Sequence, residues 1–209
     1  MLVDAIKRRK WWLFGIILLA AILSMLQGWR TYREQSQDEH ILAAAHKYGV
    51  DGALIKAVVW RESRFNPRAK GRAGEIGLMQ IREEAAQEWA KAEGLFFFSH
   101  RQLFDPAKNT QAGAWYLRKL LRRYADTDDP LPYALADYNA GRTHVLRWKL
   151  GAASTNSAAF LQKMTFAGTR QYILAVTVRQ KYYQQRFPKD HVRAEGVTDK
   201  FRTCGIYPY

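Results

Sequence analysis

Residues Trp11 to Trp29 form an uncharged, mostly apolar run of nineteen residues that begins directly after Lys7-Arg8-Arg9-Lys10 and closes at Arg30. No other stretch constrains the chain so strongly. At roughly 1.5 Å per helical residue it spans about 28 Å, close to the roughly 30 Å hydrocarbon core of a bilayer. The basic cluster before it stays cytoplasmic by the positive-inside rule, which sends the rest of the chain across the membrane. Trp11, Trp12 and Trp29 stand where interfacial aromatics belong. A cleaved signal peptide would need a small-x-small site after the run, and only Gln27-Gly28-Trp29-Arg30 is found there. A buried core helix is the weaker alternative, because few globular helices are apolar on every side. Residues 1–10 therefore read as a cytoplasmic basic segment, 11–29 as a transmembrane anchor, and 30–37 as a polar linker.

The remainder has the size of one domain. The chain has 209 residues with 48% apolar and 13% aromatic content, enough to bury a core and too much for wholesale disorder. Cys204 is the single cysteine, so no intrachain disulfide is available, and the read gives it no role. His40, His46, His100, His144 and His191 share no ligand-like spacing, so neither metal nor cofactor is expected. Of the net charge of +14, residues 1–29 hold +3 and the rest +11. Arg118, Lys119, Arg122 and Arg123 cluster on one predicted helix, but no nucleic-acid module accompanies them. The expectation is a solvated face attracted to anionic envelope polymers or headgroups rather than nucleic acid.

From Asp38 the pattern is helical almost throughout. Ile41, Leu42, Ala45 and Tyr48 recur at helical spacing up to Gly49. Asp51 is placed to cap a helix from Gly52 that Asn66-Pro67 terminates. Gly71, Gly74 and Gly77 mark a tight loop or small hairpin. Further helices are read from Glu83 to Gly94, from Asp105-Pro106 through Leu121, from Asp129-Pro130 to Gly141, from Thr143 to Leu150, and from Thr169 to Phe187. Residues 151–159 read as a Ser/Ala/Asn loop, and 188–209 as a tail without period. The fold class is mainly α, a compact multi-helix domain over 38–187.

Glu62 is the informative position. Leu54, Val58 and Glu62 follow one another at four-residue steps beside Ile55 and Val59, so a carboxylate ends an apolar stripe. Burial without a cation raises its pKa from about 4.3 toward 6 or so, and such a group holds a proton that a glycosidic leaving oxygen needs. The bland alternative is a partly exposed glutamate at a helix end, paired with Arg61 or Arg64.

Arg61-Glu62-Ser63-Arg64-Phe65-Asn66-Pro67, Gly77-Leu78-Met79-Gln80-Ile81 and Ala136-Asp137-Tyr138-Asn139-Ala140-Gly141 occur in an order and at separations that resemble the soluble lytic transglycosylase catalytic domain. That family has a goose-type lysozyme-like (α+β) fold. The resemblance covers about 38–187, including Leu103-Phe104-Asp105-Pro106 and Gly113-Ala114-Trp115-Tyr116-Leu117. It implies cleavage of the β-1,4 bond between N-acetylmuramic acid and N-acetylglucosamine in peptidoglycan, without net hydrolysis, leaving a 1,6-anhydro end. By motif, Glu62 is the single catalytic acid and then base, and Tyr138 orients its carboxylate. Ser63, Met79, Gln80, Asn139 and Tyr172 are implied substrate contacts.

Three departures stand out. Arg82-Glu83 follows Gln80-Ile81 where the family often has Met-Pro. Asp137 replaces a usual small residue. Gly168-Thr169-Arg170-Gln171-Tyr172 lacks the glutamate of the family's Glu-Thr-x-x-Tyr. Glu75 and Asp137 are candidates for a second carboxylate. The overall expectation is a single-pass enzyme of the bacterial inner membrane with its domain outside the cytoplasm and peptidoglycan strands as its partner. A hydrolytic muramidase, or a non-catalytic wall-binding subunit of an envelope-spanning apparatus, are the alternatives.

Overall fold

A computed structural model describes residues 2–187, with side chains from Trp11 onward. The tail 188–209, including His191 and Cys204, lies outside the described residues. The chain divides into two units at Gln37/Asp38. The first is a single helix, α1 (Leu2–Gln35). It turns large apolar side chains such as Phe14, Ile17 and Leu23 outward, as a helix solvated by lipid does. Among the described residues it is the one helix long and apolar enough to cross a membrane. It continues through Arg30–Gln35, where the sequence reading places a linker, because nothing in RTYREQ breaks a helix.

The second unit is helical with no strand among its described residues. Its helices are α2 (Asp38–Tyr48), α3 (Gly52–Ser63), α4 (Glu83–Ala92), α5 (Pro106–Arg123), α6 (Pro130–Ala140), α7 (Arg142–Trp148), α8 (Ser157–Lys163) and α9 (Ala167–Gln184). Short 3₁₀ turns occupy His100–Phe104 and Gly151–Ser154. Side-chain caps explain half of the starts. The side chains of Asp51, Asp105, Asp129 and Asn156 each accept a backbone N–H at the head of their helix, and Pro106 and Pro130 open two of those helices. Helix α8 is missed by the sequence reading, which sees a loop there; Asn156 is the cap signal that marks it.

Helix α3 is the hub. Residues Ala53 to Val59 are all buried, so the apolar stripe read from the sequence is too narrow. Even Lys56 is enclosed, its ammonium 2.5 Å from the Asp38 carboxylate and over the rings of Tyr183 and Phe187. Asp51 ties the head of α3 to α9 by accepting bonds from Gln180 and Gln184 at 2.9 and 2.8 Å.

Residues 70–81 form two isolated antiparallel bridges, Lys70 with Ile76 and Ile76 with Ile81, rather than a sheet. Asn109 of α5 holds this loop from beneath. It is fully buried, accepts from the Met79 N–H at 2.8 Å, and donates to the carbonyls of Ile76 (3.0 Å) and Leu103 (2.8 Å). Gly77 must lack a side chain, since a Cβ there would lie 2.1 Å from the Asn109 amide nitrogen. Asn109→Ala strands the buried Met79 N–H and the Leu103 carbonyl, while the Ile76 carbonyl keeps the bond from the Ile81 N–H. It should therefore cost about 3 kcal/mol of stability in urea unfolding, at roughly 1–3 kcal/mol per unsatisfied group after partial relaxation.

Candidate active site

The last turn of α3 carries Glu62 to the wall of a cleft of about 530 Å³. Its other walls come from Glu75, Gln80 and Ile81 in the bridged loop, Arg82, Glu84 and Ala85 at the head of α4, Tyr116 of α5, and residues 137–141 at the end of α6. Arg64 follows α3 in a left-handed conformation (φ 51°), which stops the helix one residue past Glu62.

Burial is the main influence on Glu62 and pushes its carboxyl up to about 7, helped by the negative charge of Glu75. The hydroxyl of Tyr172 and the charge of Arg61 pull the other way. Tyr172 donates to Glu62 Oε1 at 2.6 Å, and the Arg61 guanidinium sits 5.4 Å from the Tyr172 ring centre. Tyr172 and Tyr138 are both held well above the ordinary phenol range, first by burial and then by the nearby Glu62 charge, so both remain neutral donors.

The sequence-predicted residues divide on inspection. Glu62, Gln80, Tyr138 and Asn139 line the same cleft. The tyrosine roles differ from those implied by motif. Tyr138 spends its proton on the Met79 carbonyl at 2.7 Å, while Tyr172 of α9 bonds the acid. Met79 is not a floor for ligand: its side chain is fully buried against Gly113, where a Cβ would come within 2.1 Å of the sulfur. Ser63 turns back to bond the Val59 carbonyl at 3.2 Å. Gln80 is held in the cleft wall by a left-handed backbone (φ 48°) and a bond from its amide to the Gly77 carbonyl at 2.9 Å.

Asp137 is neither solvated nor a free second carboxylate. It is 2% exposed, and one oxygen accepts from Arg123 and from Tyr124, each at 2.7 Å. Arg123 thereby leaves the basic face expected for α5, and Lys119 also pairs, with Glu88. Glu75 does reach the cleft. Its Oε2 accepts the Ala73 N–H at 3.0 Å and its Oε1 lies 3.4 Å from Arg82 Nε.

The model of the transglycosylase SLT domain family matches residues 39–161. The chain belongs to that family. Its relatives include membrane-bound lytic murein transglycosylase F of Desulfosudis oleivorans, 39% identical over 105 residues, covering 49% of this chain and 21% of the relative. Membrane-bound lytic murein transglycosylase C of Shigella sonnei is 36% identical over 161 residues, covering 68% and 45%. Among solved structures, the lytic transglycosylase Slt of Pseudomonas aeruginosa, an inactive mutant with glutamine in place of a glutamate, superposes with a TM-score of 0.65. It is 26% identical and covers 72% of this chain and 24% of that one. The 70 kDa soluble lytic transglycosylase of Escherichia coli gives 0.62 at 27% identity, covering 70% and 24%. The chain thus spans less than half the length of these curated relatives, and the SLT domain is the part they share.

Within this SLT domain, Tyr116, Arg82 and Glu84 are cleft residues that sequence reasoning misses. Tyr116 lies in the Gly113–Leu117 motif, to which the sequence reading gives no role; its ring lies at a tilt to that of Tyr138, 5.6 Å away. Nothing local in the sequence marks Arg82.

The raised Glu62 pKa has a consequence for stability. The folded protein holds the Glu62 proton more tightly than the unfolded chain. That contribution is complete below about 4.5 and is lost as pH rises through about 7. Glu62→Gln removes this dependence, so the variant should gain on the wild type between pH 5 and 8. The gain should approach roughly 3 kcal/mol at the upper end, read as the difference of urea midpoints across that range.

Proposed function

We propose that the protein is a membrane-anchored lytic transglycosylase that cuts the β-1,4 bond between N-acetylmuramic acid and N-acetylglucosamine in peptidoglycan and leaves a 1,6-anhydro end. One observation carries the reading: among the cleft carboxyls, Glu62 is tuned by burial to about 7 and fixed through one oxygen by Tyr172. Half of such a group is protonated at neutral pH, so it can act first as acid and then as base without a partner that changes charge. The names of the curated relatives and the solved neighbours support the same class of chemistry.

In the proposed reaction, Oε1 accepts from Tyr172, which leaves Oε2 to carry the proton. Glu62 gives that proton to the leaving glycosidic oxygen as the C1–O bond breaks, and the substrate's acetamido oxygen closes on C1 to share the positive charge. The muramic C6 hydroxyl then attacks C1 and returns its proton to Glu62. The nucleophile is part of the substrate, so proximity replaces a positioned water. Gln80 and Asn139 both line the cleft and supply amides for sugar hydroxyl or acetyl groups. Tyr138 serves indirectly, by fixing the Met79–Gln80 backbone through the Met79 carbonyl.

For location, α1 is the anchor. Lys7, Arg8, Arg9 and Lys10 remain cytoplasmic, and the SLT domain works in the extracytoplasmic space beside the inner membrane.

Glu62→Gln should lower the rate of muropeptide release by at least about 10²–10⁴-fold, and the wild-type products should lie one water below hydrolysed ones in mass spectrometry. Native-rate release by the variant, or products at the hydrolysed mass, would sink the proposal. Tyr172→Phe removes a bond to the charged form of Glu62, so the alkaline limb of the pH–rate profile should move upward. A limb that stays in place would deny Tyr172 its role.

A further inference from the structure

We infer that Glu75 is a second catalytic carboxylate, which accepts the N–H of the substrate's acetamido group and faces the positive charge that forms when that group closes on C1. This inference rests on the transglycosylase reading of the same cleft and adds to it a residue and a substrate contact.

Three geometric facts carry it. Glu75 projects into the cleft that Glu62 lines, from the opposing loop. Its carboxylate is held in place rather than swinging in solvent, by the Ala73 N–H on Oε2 and by Arg82 Nε at 3.4 Å from Oε1. Each carboxylate oxygen accepts two bonds, so both retain capacity for a substrate donor. Space has also been made for it. A Cβ on Gly71 would lie 2.2 Å from Glu75 Oε2 and 3.0 Å from Gln80 Oε1, so this glycine admits the carboxylate beside the amide. The other candidate carboxylate, Asp137, is 2% exposed and commits its Oδ2 to Arg123 and Tyr124.

The chemistry balances without a further reactant. As the C1–O bond to the leaving sugar breaks, the Glu62 proton passes to the leaving oxygen and the acetamido oxygen forms a new bond to C1. The positive charge then spreads over the O–C–N unit of the resulting ring. That makes its N–H a stronger donor, and the bond to Glu75 strengthens in the transition state relative to the ground state, which is the condition for raising kcat rather than affinity. The C6 hydroxyl oxygen then attacks C1, the acetamido oxygen departs with its electron pair, and the proton goes to Glu62. Glu75 keeps its charge throughout. That charge also opposes ionisation of Glu62, which is faced besides by Tyr172 from α9, Tyr138 from α6 and Arg61 on its own helix.

The test uses the full chain in detergent with peptidoglycan glycan strands. Glu75→Gln preserves size and the acceptor for the Ala73 N–H. It should lower kcat about a hundredfold with KM little changed, and move the alkaline limb of the pH profile downward. A sugar thiazoline, a stable mimic of the cyclised acetamido ring, should bind the variant more weakly by a similar factor, while a plain N-acetylglucosamine oligomer binds as before. Gly71→Ala, which pushes a methyl into the carboxylate's place, should reproduce the loss, and adding it to Glu75→Gln should lower kcat little further. Wild-type kcat in Glu75→Gln would overturn the inference. So would equal weakening for thiazoline and plain oligomer, which would mark a residue that merely shapes the loop. Hydrolysed rather than anhydro products from the wild type would instead defeat the parent reading, and the thiazoline comparison reports on Glu75 in either event.

Discussion

The enclosure of α3 is the constraint on which the site depends. A helix buried along seven consecutive residues has no solvent-facing side on which its last turn can place a charged group cheaply, so Glu62 emerges at the edge of the core with its carboxyl largely desolvated. The fold fastens that helix to α9 at both ends. Asp51 holds Gln180 and Gln184 at the head, and Glu62 meets Tyr172 at the foot. An antiparallel pair pinned at two points has little freedom to slide, which keeps the 2.6 Å hydrogen bond from Tyr172 to the Glu62 carboxyl in register.

The facing wall is built on a different principle. Residues 70–81 bury Ile76, Leu78, Met79 and Ile81 but bridge only weakly, and their backbone is held from below by Asn109 and from the side by Tyr138. Both act on backbone groups, which fixes the path of the loop regardless of which side chains it displays. Met79 then plugs into the notch left by Gly113, and the next residue, Gln80, is thrown toward the cleft by its left-handed backbone. Glycines at 71, 77 and 113 are each required by a close approach, two of them to polar atoms of the site or its support. The cleft is thus a rigid carboxyl on one side and a backbone-templated polar loop on the other.

Much of this was legible in the residues. The membrane-length apolar span follows from length and hydropathy, and the helices from periodicity together with the caps at Asp51, Asp105 and Asp129. Glu62 stands out because a carboxylate ends an apolar stripe, and the order of the motifs points to the family. What failed was the assignment of partners. Motif resemblance gave Tyr138 the bond that Tyr172 makes, and it put Met79 and Ser63 on the substrate side when one packs inward and the other bonds its own helix. Asp137 read as a surface helix residue or a spare acid because Arg123 lies fourteen positions away on another helix, beyond any local rule. Asn109 went unremarked for the same reason, since a polar residue inside a helix gives no hint of the three distant backbone groups it satisfies.

Sequence alone determined the class of the fold, the apolar span and the carboxylate that ends the apolar stripe of α3, because those depend on composition, on spacing along one chain and on the chemistry of a single side chain. Only tertiary structure decided which tyrosine bonds Glu62, which of two candidate carboxylates is engaged by Arg123 and Tyr124, and which motif residues support the wall instead of facing it. Those outcomes turn on where a hydroxyl's one proton and a carboxylate's lone pairs are spent. That is settled by which elements pack against one another, at separations of 59 residues for Tyr138 and Met79 and 110 for Tyr172 and Glu62 that no local pattern spans.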